Sequence, residues 1–228
     1  MAELSKSVLG KVSGTVGDIT FRQRRGKNVI SVRPKSFMPG DDIPSVERRA
    51  RFALSAKLAQ AINSLAPLRT IWVDETPPDM SPYNYMIGVN FSLVGVNGIT
   101  NLTTISPSIG FPSEATSIVI ATDSVAVVMK PIGTSAGIDA TKEPTIRLVS
   151  ILSLTKPTLP TLDANRFVAL MSPEQASVLD TALSFDIVPG STESQLIANY
   201  QEKKALCALI TLSPEKNPVR YSNTFQSA

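Results

Sequence analysis

The chain has 228 residues, 43% hydrophobic and 18% charged, with 17 prolines, a net charge of +3, one cysteine and no histidine. That length suits one large domain or two small ones, and the apolar fraction can fill a core. Without histidine the commonest general base and transition-metal ligand are missing, and the single Cys207 excludes an intrachain disulfide.

Residues 9–35 open on Gly10, Gly14 and Gly17, glycines at short spacing that read as turn formers. From Asp18 the chain alternates. Ile19, Phe21 and Gln23 fall on one side; Thr20, Arg22 and Arg24 fall on the other, which is the strand period. The return run Val29-Ile30-Ser31-Val32-Arg33 is β-branched and ends at Pro34. Gly26-Lys27-Asn28 lies between the runs as the turn, so a basic hairpin has its tip near Arg24, Arg25, Gly26 and Lys27.

Residues 36–44 form a linker of turn formers. Asp41, Asp42 and Pro44 suit a helix start. The helix is expected to reach Leu65, with Val46, Ala50, Leu54, Leu58, Ala61 and Leu65 as its apolar stripe and Pro67 as its stop. Leu68–Val73 holds the only tryptophan, Trp72, and reads as a strand or a helical continuation. Ser81-Pro82 marks a second helix start, with Tyr83, Met86, Ile87 and Phe91 as its buried side.

After Gly98 strand-like runs alternate with turn signals: 116–121, 124–130, 145–152, 167–171, 183–188, 205–212 and 219–225. Asp123 reads as a tight hairpin turn, Ser172-Pro173-Glu174 as the start of a short helical or turn segment to Leu179, and Pro189-Gly190-Ser191 as a turn. Runs at this spacing fit an antiparallel β-sandwich. The fold expectation is therefore α+β, mainly β. It comprises an N-terminal hairpin arm (1–40), a region of two helices (41–98) and a C-terminal sandwich of the immunoglobulin-like class (99–228), without the Cys–Trp–Cys signature.

The catalytic patterns do not assemble. Gly10–Gly17 lacks the G-x-x-x-x-G-K-S/T spacing of a phosphate loop. Ser153–Lys156 and Ser213–Lys216 both fit S-x-x-K, but the companion elements of penicillin-binding enzymes are missing. Cys207 sits in an apolar run and reads as a small hydrophobe. Asp74, Glu75 and Asp79 could gather calcium, but they match no EF-hand, and solvated loop charges are the simpler account. The expectation is no catalytic residue, no metal and no cofactor.

Charge is uneven. Residues 1–70 hold 13 Lys/Arg against 5 Asp/Glu, and the rest hold 9 against 14. The basic head reads either as a solvated face or as a patch for an acidic protein or nucleic acid. Its candidate partner-binding residues are Arg22, Arg24, Arg25, Lys27, Arg33, Lys35, Arg48, Arg49 and Arg51.

The runs Gly10-Lys11-Val12-Ser13-Gly14-Thr15-Val16-Gly17, Arg25-Gly26-Lys27, Val32-Arg33-Pro34-Lys35, Arg48–Ala53, Ser81–Asn84 and Tyr221-Ser222-Asn223-Thr224 resemble a family. It is an uncharacterised domain-of-unknown-function family common in Bacteroidetes genomes and their mobile elements. The resemblance touches both ends and leaves roughly residues 100–200 unmatched. It implies architecture, and no established activity comes with it.

The functional expectation is a non-enzymatic structural or assembly protein that docks on copies of itself or on other subunits through the arm. A bacteriophage virion component, in capsid or tail and assembled in the bacterial cytoplasm, fits best; a cytoplasmic protein is the alternative. No secretion signal or membrane span is read in the sequence. A glycan- or host-surface-binding sandwich and a nucleic-acid-associated protein using the basic hairpin are the other two readings.

Overall fold

The computed structural model describes residues 2–4, 13–24, 27–33, 36 and 38–227. The chain divides into two units, Met1–Ser45 and Val46–Ala228.

In the first unit the alternation becomes a four-stranded antiparallel sheet. Its strands are β1 (Ala2–Leu4), β2 (Gly14–Val16), β3 (Ile19–Arg24) and β4 (Lys27–Val32), in the order β1-β4-β3-β2. Val16 pairs with Ile19, so Gly17 and Asp18 make the whole turn between them. Gly17 has φ +58°, a left-handed conformation that glycine takes without cost. Two residues of the turn expected at 26–28 are in a strand instead. Lys27 and Asn28 are already in β4, opposite Arg24 and Gln23, because the cross-strand ladder extends to the last pair it can close. Gly10, Arg25, Gly26, Pro34 and Lys35 lie outside the described residues.

α1 (Ile43–Ser64) begins as expected, with the Asp42 carboxylate accepting from the Ser45 amide at 3.1 Å. Its buried stripe runs Leu54, Ser55, Leu58, Ala59, Ala61 and Ile62. The first turns, including Val46, stay outside the core. Pro67 does not end a helical region. It sits in the first turn of α2 (Ala66–Glu75), where proline's missing N–H is harmless, so Leu68–Val73 is helical. α3 (Pro82–Phe91) starts at Ser81, whose hydroxyl accepts from the Asn84 amide at 3.3 Å. Met86 and Ile87 are buried, but Tyr83 is exposed, Phe91 is half-buried and Asn90 is the third buried residue.

The β region forms two antiparallel sheets. The smaller contains β5 (Ala115–Ile120), β6 (Val125–Met129) and β10 (Ser184–Ile187), ordered β10-β6-β5. The larger has six strands: β7 (Thr145–Pro157), β8 (Asn165–Met171), β9 (Gln175–Ala176), β11 (Tyr200–Leu212), β12 (Pro218–Tyr221) and β13 (Phe225–Gln226). β7 and β11 are its centre and are buried on both faces. Leu148, Leu152, Leu154, Cys207 and Leu209 face Val125, Val127, Met129 and Phe185 of the smaller sheet. Val149, Ile151, Leu206, Ala208 and Ile210 face Leu58, Ile62, Leu68, Trp72 and Met86 of the helices. The body is thus a small sheet, a large sheet and a helical layer, mixed α+β and mainly β. Its antiparallel strand order carries no assignment to the immunoglobulin class. The segments 41–98 and 99–228 meet in one of these cores.

Three further expectations change. Residues 172–179, expected as a helical or turn segment, hold a short strand: Gln175–Ala176 is β9, paired with Ile146 and Thr145. Pro189-Gly190-Ser191 is not a simple turn but leads into α4 (Ser191–Ala198). The run 219–225 is two strands, because the hydroxyl-rich Ser222-Asn223-Thr224 between them bonds to other segments.

Candidate assembly interface

Strand pairing in the N-terminal sheet sorts its residues onto two faces. Ile19, Phe21 and Gln23 lie opposite Val32, Ile30 and Asn28, and Val16 lies beside Ile19. This face is apolar from Val16 to Ile30. Val16, Ile19 and Val32 are 71%, 42% and 75% exposed, and none of them belongs to either hydrophobic core. The other face holds Thr15 and Thr20, with hydroxyls 3.5 Å apart, and Arg22, whose Nη2 donates to Ser31 Oγ at 3.1 Å. Arg24 and Lys27 form the next cross-strand pair at register positions of that face.

The sequence candidates therefore do not form one cluster. Arg22, Arg24 and Lys27 share a sheet face. Arg33 is exposed just past β4, its amide donating to the Asp18 carbonyl at 2.7 Å. Arg48, Arg49 and Arg51 belong to α1 in the second unit, where Arg51 and Glu47 stand 3.8 Å apart one helical turn from each other. Arg25, Lys35, Gly10 and Gly26 lie outside the described residues. Gly14 (φ +124°) and Gly17 serve backbone conformation.

The body's reactive-looking groups are held in structural roles. Cys207 is fully buried, its Sγ donates to Ser150 Oγ at 3.4 Å, and burial pushes its pKa up to about 12. Ser153 is buried in β7, and Lys156 pairs with Glu202 at 2.5 Å. Lys216 lies in the turn after β11, donating its amide to the Ser213 carbonyl at 2.8 Å. Asp74, Glu75 and Asp79 do not gather. Among the described residues no three His, Cys, Asp or Glu side chains converge, and Glu75 instead accepts from the Tyr221 hydroxyl at 3.2 Å. Among the described residues no helix is long and apolar enough to cross a membrane.

Two polar constructions escaped the sequence. Glu143 is 2% exposed; its Oε2 accepts from Thr211 Oγ1 at 2.5 Å and its Oε1 from Arg220 Nε at 3.0 Å. Tyr221-Ser222-Asn223-Thr224 is a clasp. The Ser222 hydroxyl accepts from the Leu209 amide at 2.9 Å. Asn223 takes the Ser113 amide at 2.6 Å and donates to the Ser113 carbonyl at 3.1 Å. Thr224 Oγ1 accepts from the Ile105 amide at 2.9 Å. The motif was visible as a pattern, but the partners of Asn223 and Thr224 lie more than a hundred residues away.

No protein-family model, curated protein or solved structure matches the chain.

Proposed function

We propose that this chain is a non-enzymatic structural subunit that docks on neighbouring subunits through its N-terminal sheet. The observation that carries this is the open apolar face of Val16, Ile19 and Val32. A sheet with one apolar face needs a second layer to be stable, and full burial of each such side chain is worth about 1.5–3 kcal/mol. A neighbouring subunit would supply that layer. A virion component of a bacteriophage, in capsid or tail, is the setting we favour. That step rests on the low charge, on the arm, and on the resemblance to a family spread through Bacteroidetes mobile elements.

The glycan-binding reading calls for exposed aromatics on a face or edge of the sandwich half. Phe111, Phe185, Tyr200 and Phe225 are buried and Phe167 and Tyr221 are half-buried instead, which favours the assembly reading.

Light scattering tests it. The full chain is expected to form oligomers, while Val16→Glu/Val32→Glu and a chain lacking residues 1–36 run as monomers. A monomeric full chain at every salt concentration would sink the proposal.

A further inference from the structure

The body carries a second sheet with one face open. In the β10-β6-β5 sheet Phe185, Val127 and Ile118 form one row and Ile187, Val125 and Ile120 another, and both rows pack into the core shared with the larger sheet. The alternate rows turn away from that core: Ser184, Val128 and Ser117, then Asp186, Ala126 and Val119. Val119 and Val128 are 59% and 36% exposed and are diagonal neighbours across β5 and β6, close enough to form one patch. Val188, one residue past β10 and in phase with Ser184 and Asp186, is 76% exposed. None of these three valines belongs to either hydrophobic core.

The N-terminal sheet fits this face in shape and in charge. Its own open face, Val16, Ile19 and Val32, is β-branched as well, and two such faces pack as aligned layers about 10 Å apart. Within β5, β6, β10 and the turn joining β5 to β6, the only charged residues are Asp123 and Asp186, both exposed. The unit Met1–Ser45 has eight Lys/Arg against four Asp/Glu, hence +4. Opposite signs steer the two surfaces together and fix their register. The helical surface is a poorer acceptor. Its exposed Val46 and Phe52 flank Arg48, Arg49 and Arg51, which share the sign of the arm.

We infer that the outer face of the β10-β6-β5 sheet is the acceptor for the N-terminal sheet of a second copy of this chain. The inference rests on the assembly reading and names the surface that receives the arm. The two patches differ, so the contact is head to tail. Each subunit gives an arm and receives one, and the series closes into a ring or grows as a filament.

The test is complementation between two full-length variants, read as mass by light scattering. Val16→Glu/Val32→Glu keeps the acceptor and loses the arm face. Val119→Glu/Val128→Glu keeps the arm face and loses the acceptor. Each alone is expected to be a monomer. Mixed one to one, they are expected to form a dimer and stop there, because the two faces left over are both broken. Only folded variants can pair in this way, so the dimer also excludes a folding defect. Val119→Thr/Val128→Thr keeps the side-chain shape at exposed positions, where stability changes little. It should raise the concentration at which the oligomer dissociates without moving the urea midpoint. If Val119→Glu/Val128→Glu is as oligomeric as wild type, or the threonine pair dissociates at the wild-type concentration, this face is not the acceptor and assembly through the arm remains. A mixture that stays monomeric overturns the inference as well when Val119→Glu/Val128→Glu has the wild-type urea midpoint; if that variant is unfolded, the threonine pair decides alone. If Val16→Glu/Val32→Glu is as oligomeric as wild type, or wild type is a monomer, the assembly reading falls and takes this one with it.

Discussion

Lys57 of α1 donates to the backbone carbonyl of Asn165 at 3.2 Å and meets the Asp163 carboxylate at 3.1 Å. Asn165 opens β8, the terminal strand on the main path of the six-stranded sheet. A lysine placed on an edge strand blunts the row of unpaired backbone groups that would otherwise template another chain.

Lys57→Met is therefore expected to change monomer stability little. The ion pair is half exposed, and such pairs contribute about 0–1 kcal/mol. What should change is association: turbidity on heating should rise earlier and depend more steeply on protein concentration. Equal aggregation onset for variant and wild type across a concentration series would refute the edge-guarding role.

Cys207 ties stability to alkaline pH. Burial, opposed by the lesser effect of the Ser150 hydrogen bond, holds its folded pKa at about 12, whereas an unfolded thiol titrates near about 8.5. Between those values the unfolded chain releases a proton that the folded chain keeps. Stability is thus fully present below about pH 8.5 and falls as pH rises, by up to about 1.4 kcal/mol per unit for this one group. Urea unfolding from pH 7 to 10.5 should show that slope, and Cys207→Ala should flatten it by one proton's worth. Tyr200 and Tyr221, both raised chiefly by burial, add to the decline at the top of the range. An unchanged slope in the variant would show that the thiol is not the group responsible.

The central strands were legible because Ala205–Leu212 is an apolar run broken only by Thr211 and Ile146–Leu154 has six apolar residues of nine, the mark of strands buried on both faces. Their true ends were not. Ser153, Thr155 and Lys156 look like an exit from a strand, yet β7 continues because β11 pairs with it as far as Tyr200. β9 has two residues and no period to detect, and α4 has only the adjacent Leu196 and Ile197 as large apolar residues. The two faces of the arm could be read from β3 alone; that Val16 joins the apolar side needed the pairing. Glu143 was invisible, because its partners lie 68 and 77 residues away.

Gly110 has a specific steric reason to be glycine. Its φ is +60°, and a Cβ there would lie 2.3 Å from the Tyr221 carbonyl oxygen, which accepts from the neighbouring Phe111 amide at 3.0 Å. That obstacle is backbone, so it cannot rotate away. Gly110→Ala should cost about 1–3 kcal/mol through strain and the disturbed hydrogen bond, and should weaken amide-exchange protection at Phe111 and Asn223 first. A fully stable variant would mean that the 107–113 loop can shift as a body.

Glu143 supplies a charge that the core tolerates only because both oxygens are engaged. Thr211→Val removes one donor without changing shape and leaves Oε2 buried and unpaired, at a cost of about 1–3 kcal/mol. Arg220→Ala should cost a similar amount or less, since the guanidinium side chain is half exposed while the carboxylate is not. Replacing both ends together, as Glu143→Leu/Thr211→Val, takes away the charge along with its donor and should be milder than Thr211→Val plus Glu143→Leu summed. Urea midpoints for the three variants and the double mutant decide this. A strictly additive double mutant would mean that Thr211 and Glu143 are energetically independent, and that the 2.5 Å contact between them contributes no coupling of its own.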